Sequence, residues 1–135
     1  MIAVTRPSVG PTPEDIPNAI AYYQKALGIQ QNSIHLKGDI YFALAHIYYI
    51  SCPNFPKSLE YFSKSKNIFE QYPEKYMRTA IISNFMGTML LSMGNSSDAM
   101  EHFKESSKLL FENRDDKNNI EMLNNAFIGF IYENI

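Results

Sequence analysis

The chain has 135 residues, 45% of them hydrophobic, and a formal net charge of −2 at pH 7. That length and apolar content suffice for one packed domain and exclude a disordered tail. Lys25, Lys64, Lys66, Arg78, Lys104 and Lys108 are scattered among acidic residues, which excludes the basic stripe of a direct nucleic-acid binder.

In chain order, residues 1–15 read as an extended arm, because Pro7, Pro11, Pro13, Ser8 and Gly10 interrupt any regular helix. Residues 16–135 then read as one helical domain. Apolar residues at three- and four-residue spacing predict helices over 17–30, 34–51, 56–72, 74–93, 97–112 and 118–134. Asn32-Ser33 can cap the second helix, and Cys52-Pro53-Asn54 is a turn that leaves Pro56 at the start of the third. Pro73 closes the third helix, Gly94-Asn95 the fourth, and Asp115-Asp116 precedes the sixth. Asn95-Ser96-Ser97 matches a glycosylation sequon but reads here as turn chemistry. No segment alternates with the two-residue period of a strand, so the predicted class is all-α, with near-complete helicity from Pro17 to Glu133.

An internal repeat organises these helices. Ala45, Gly87 and Gly129 recur at an unvarying spacing of 42. Around them lie Tyr41-x2-Leu44-Ala45-x2-Tyr48, Ser83-x2-Met86-Gly87-x2-Leu90 and Asn125-x2-Ile128-Gly129-x2-Tyr132. The alternate helices carry Ala19-x3-Tyr23-x2-Ala26, Ser58-x3-Phe62-x2-Ser65 and Ala99-x3-Phe103-x2-Ser106. Small residues at a helix crossing let two backbones approach, and the large ones fill the space beside it. Gly87 should therefore reject leucine, while alanine there is expected to be nearly silent or mildly stabilising, since glycine inside a helix is unfavourable by ~1 kcal/mol.

These frames resemble the tetratricopeptide repeat, with its W-x2-L-G-x2-Y first helix and A-x3-F second helix. The period exceeds the family's usual 34 residues and is similar to longer variants in kinesin light chains and bacterial peptide-sensing regulators. Ser83 and Asn125 stand where the family has a large aromatic. The resemblance implies a right-handed α-α superhelix of about three repeats. It divides into a half repeat at 16–31, repeats at 34–73 and 74–113, and a half repeat at 118–135. A first helix without a second, and a second without a first, would expose apolar stripes, so self-association through the terminal helices, or cover by the arm, is expected.

Chemistry of other kinds finds no support. His35, His46 and His102 have no Cys or carboxylate partners at metal-ligand spacing, and no nucleophile or phosphate-loop motif occurs. Cys52 is alone, which rules out an internal disulfide and suits a reducing compartment. No apolar run nears the ~18 residues that span a bilayer, and the start of the chain lacks a secretion-signal pattern. The expectation is a cytoplasmic, non-enzymatic protein without cofactor, metal, membrane or nucleic-acid contact.

The resemblance also implies a concave groove lined by fixed first-helix positions. Carried onto this sequence, those are Asp39, Phe42, Ala43, His46 and Tyr49, then Ile81, Asn84, Phe85, Thr88 and Leu91. In the last repeat they are Leu123, Ala126, Phe127, Phe130 and Glu133. The family's carboxylate clamp needs Lys, Asn and Arg where Phe42, Ala43, Phe85, Ala126 and Phe127 stand, which disfavours capture of chaperone tails. An aromatic groove edged by His46, Asn84 and Thr88 suits a protein or peptide with an apolar or amphipathic segment. The same aromatics could instead pack between hairpins or into an oligomer contact. Asn-rich runs such as Leu123-Asn124-Asn125 resemble peptide receptors of low-GC bacteria, which implies, as an alternative, the sensing half of a regulator.

Overall fold

The computed structural model describes residues 15–29, 31 and 33–116. Its ordered elements are α1 (Asp15–Leu27), α2 (Ile34–Ile50), α3 (Phe55–Phe69), α4 (Tyr76–Ser92) and α5 (Ser96–Glu112), and no strand occurs among the described residues. The predicted sixth helix over 118–134, with Phe127 and Phe130, lies outside them, as does nearly all of the arm.

Helix starts follow side-chain chemistry. Ser33 caps α2, its hydroxyl accepting from the Leu36 N–H at 3.0 Å, and Asn54 caps α3 by accepting from Lys57 N–H at 3.1 Å. Each bond satisfies a donor that the first helical turn leaves free. Between α4 and α5, Gly94 takes a φ of +85°, which glycine adopts without the Cβ penalty, and the Asn95 N–H returns to Leu90 O at 2.8 Å. Asn95 then caps α5 through Asp98 N–H. The sequon asparagine is thus a helix cap. Two boundaries differ from expectation. α1 begins at Asp15, inside the expected arm, with Pro17 accommodated in the first turn. Pro73 opens a single 3-10 turn, Pro73–Lys75, ahead of α4, because its fixed φ suits a helical start.

The helices pack as two antiparallel hairpins, α2 with α3 and α4 with α5, with α1 laid against α2. Serine hydroxyls staple the pairs. Ser58 Oγ donates to Ala45 O at 2.7 Å, Ser65 Oγ to Gly38 O at 2.8 Å and Ser106 Oγ to Ala80 O at 2.8 Å, and all three serines are buried. A buried hydroxyl must find an acceptor, and a carbonyl on the facing helix is reachable only where no side chain intervenes. That is why Gly38, Ala45 and Ala80 stand opposite them. Leu44, Phe62, Ile82 and Met89 fill the space between the hairpins and are wholly buried.

Tyr61 is held between Tyr41 and Tyr48, with ring centroids 6.1 and 5.9 Å away, so these aromatics lock α3 onto α2. At the far end, the buried Tyr76 hydroxyl donates to Asp116 at 2.7 Å, tying the start of α4 to the residues after α5. Burial and that carboxylate push the Tyr76 phenol up to about 12.

Charge joins α3 to α5. The largely buried Lys66 ammonium reaches Glu105 and lies 4.0 Å from Glu70. His102 stands beside this cluster, its Nδ1 buried with no hydrogen-bond partner among the described residues. Burial, and secondarily Lys66, hold His102 below its ordinary 6.5, while Glu105, Asp98 and Glu101 pull the other way. An unfolded His102 binds its proton first as pH falls, so stability is full above pH 6.5 and declines towards the lowered folded value. Burial raises Glu70, and that effect has the opposite sign in the acid range above pH 4.5. The midpoint of thermal unfolding should therefore fall between pH 7.5 and pH 6, and His102→Gln should flatten that fall. An unchanged slope in the variant would show that His102 is not the group responsible.

Candidate binding groove

α2 and α4 present neighbouring faces, and α3 reaches between them. Phe62 of α3 is the floor. Its ring lies 5.3 Å from Phe85, stacked, and 5.5 Å from Phe42, edge-on. Phe42 and Phe85 then meet each other at 6.2 Å, and His46 and Tyr49 close on Phe85 at 5.9 and 5.4 Å. Edge-to-face and offset arrangements at these separations are the favourable ones for aromatic rings. Four of the sequence-predicted groove residues, Phe42, His46, Tyr49 and Phe85, thus come together in one ring cluster. Phe42, Tyr49 and Phe85 are half-buried in it and His46 is exposed at its edge. The two readings of the aromatics coexist: the inner edges of Phe42 and Phe85 seal the hairpins together, and the cluster still has an open side.

At one end, Asp39 accepts from Arg78 at 2.9 Å, and the Arg78 guanidinium lies 5.2 Å from the Phe42 ring centre and 5.4 Å from that of Phe69. Both charged side chains remain substantially exposed, so the pair adds little stability, on the order of 1 kcal/mol or less. It neutralises that end of the groove. Ile81 and Thr88 are half-buried on α4, and the Thr88 hydroxyl donates to Asn84 O at 2.9 Å, back onto its own helix.

Asn84 departs from expectation. The register marked it as a polar edge of the groove, but it is buried, and its Oδ1 has no hydrogen-bond partner among the described residues. One residue from Phe85, it is rotated about 100° around a helix of 3.6 residues per turn, which turns it inward. Phe127 and Phe130 lie outside the described residues.

Residues that sequence reasoning missed complete the site. Tyr23 of α1 and Ile47 of α2 join Phe42, Ala43 and His46 around an open cleft of about 340 Å³. Arg78 was passed over because its role needs α2 and α4 side by side. Tyr23 was legible as the equivalent of Phe62 in the repeat, but only α1 packing beside α2 brings it to Phe42. The cleft is wide enough for one large apolar side chain, and among the described residues its titratable edge groups are His46 and the Tyr23 hydroxyl. Among the described residues no three His, Cys, Asp or Glu side chains gather as metal ligands, and no helix is long and apolar enough to cross a membrane. Comparison with family models, with curated proteins and with solved structures finds no match to this chain.

Proposed function

We propose that this chain is a non-catalytic binding scaffold of tetratricopeptide type. Its hairpins stack with a right-handed superhelical turn, and the α2–α4 face takes an apolar or amphipathic segment of a protein or peptide. The observation that carries the reading is the Tyr23–Phe42–Ala43–His46–Ile47 cleft, open beside the half-buried Tyr49 and Phe85 rings. A pocket with aromatic walls next to a row of ring edges suits an anchor residue followed by further apolar contacts one helical turn on. The close approaches of Ala45 to Ser58 and of Gly87 to the Phe103 ring support the reading, since a tetratricopeptide hairpin would need small residues at 45 and 87.

The test is selection of binders from a displayed library of random helical and extended peptides, followed by affinity measurement. Selected peptides should carry large apolar residues spaced by three or four. His46→Glu, at an exposed position, should weaken them about tenfold or more, equivalent to about 1.4 kcal/mol, without altering the thermal midpoint. Peptides that bind His46→Glu and Ala43→Glu as tightly as the parent chain would remove the cleft from the site.

A further inference from the structure

Packing and charge divide the work at the joint between the two hairpins. α3 packs along α2 and α4, whereas its backbone barely approaches that of α5. What crosses to α5 is the Lys66 side chain, which runs largely buried and ends on Glu105. Lys66 has a second acceptor on its own helix, since Glu70 stands four residues on with its carboxylate 4.0 Å from the ammonium. Glu105 likewise has a second neighbour on its own helix. His102 precedes it by three residues, a spacing at which helical side chains face each other. These side chains can therefore be wired in two ways. One runs across the gap, Lys66 to Glu105. The other runs along each helix, Lys66 to Glu70 and His102 to Glu105.

The choice between them turns on one proton. A neutral imidazole can leave one ring nitrogen bare, and the buried Nδ1 of His102 has no hydrogen-bond partner among the described residues. An imidazolium carries a proton on both nitrogens, and a buried N–H without an acceptor is costly. The charged groups around His102 are Lys66 from α3 and Asp98, Glu101 and Glu105 from α5 itself. Asp98 is engaged at the start of α5, where its carboxylate accepts from Asn95 Nδ2 at 2.9 Å. Glu101 is the sequence neighbour and lies on another side of the helix. Glu105 is left as the acceptor, and a positive charge arriving beside Lys66 repels the ammonium as well.

We propose that protonation of His102 transfers Glu105 from Lys66 to His102 and so unlatches α5 from α3, a pH-sensitive joint between the two hairpins. Lys66 falls back on Glu70. Phe62, Ile82 and Met89 continue to hold the hairpins together, so the second hairpin pivots about that contact instead of detaching. Glu70 acts in the opposite sense. Burial, opposed by Lys66 and helped by Glu105, raises it above 4.5, and a protonated Glu70 no longer competes for Lys66. Of the two titrations, that of His102 is the one that loosens the joint as pH falls. The device is independent of the groove on α2 and α4.

The experiment is a pair of double-mutant cycles on the whole 135-residue chain, read by urea unfolding at pH 7.5 and pH 5. Lys66→Met with Glu105→Gln should show a coupling of about threefold or more in the folding equilibrium constant at pH 7.5, falling towards one at pH 5. In a His102→Gln background that coupling should persist at pH 5. His102→Gln with Glu105→Gln should show the reverse, with a coupling that emerges only at pH 5. A Lys66–Glu105 coupling equal at the two pH values, or one that falls equally without His102, overturns the proposal. A second measurement leaves the buried Lys66 untouched: the His102 ring resonances of the folded chain are titrated by NMR with and without Glu105→Gln. Removing Glu105 should lower the pH at which His102 titrates. An unchanged titration overturns the exchange, because Glu105 would then not be the acceptor.

Discussion

Phe62→Ala is expected to lower the free energy of unfolding by about 3–5 kcal/mol, the range for removing a fully buried phenyl ring. Phe62 is the ring on which Phe42 of α2 and Phe85 of α4 both rest, so its loss opens a void between the two hairpins as well as inside one. Against a total of about 5–15 kcal/mol for a domain, that is a large share. Urea unfolding followed by helical circular dichroism measures it. The slope with denaturant should stay near that of the parent if the hairpins still unfold together. A loss within ~1 kcal/mol would mean that α2 and α4 are joined elsewhere, and the groove would then lack a rigid floor. Phe42→Ala should cost less, since Phe42 is only half-buried.

The second large effect is at Gly87. A Cβ built there lies 2.8 Å from Phe103 Cε1 and 3.0 Å from two more atoms of that ring, and Phe103 is itself buried. Leucine should therefore be severely overpacked, with a loss of ~3 kcal/mol or more, at the upper end for added bulk in a packed core. Alanine corrects the expectation drawn from the sequence. The ~1 kcal/mol that alanine gains over glycine within a helix is set against moving a buried ring, which costs typically ~1–3 kcal/mol. Gly87→Ala should be destabilising by up to about 2 kcal/mol, at roughly 4 °C of thermal midpoint per kcal/mol. Gly38→Ala is expected to behave alike, because its Cβ would meet the Phe69 ring at 2.8 and 2.9 Å. A Gly87→Ala chain that melts at or above the parent temperature would show that Phe103 can move aside freely.

The surroundings of Gly87 show how far a repeat frame carries. The frame shared by Ala45 and Gly87 marks where two backbones approach. It does not say what atom occupies the space beyond. At 45 a methyl group fits and the Ser58 hydroxyl reaches the carbonyl, whereas at 87 the Phe103 ring has advanced into the gap. Equivalent positions in a repeat share backbone geometry, and their side chains repack separately. Gly38 was missed for the same reason, since its neighbour Phe69 and its bond from Ser65 come from a helix 27 residues away.

By itself the sequence determined the helical class, the order of the five described helices, their caps and turns, and the pairing of short-linked helices into hairpins. Each follows from local physics: periodicity, the caps Ser33, Asn54 and Asn95, the proline at 56, and glycine's freedom at 94. It also marked the ring positions that converge, Phe42, His46, Tyr49 and Phe85. Only the tertiary structure decided that Asn84 turns inward, that Arg78 bridges Asp39 and Phe42, and that Tyr23 completes the cleft. Those outcomes depend on how α1, α2 and α4 are rotated and placed against one another. That placement is set by the summed packing of the core between them, in which a rotation of one helix by a fraction of a turn moves a side chain from groove to core.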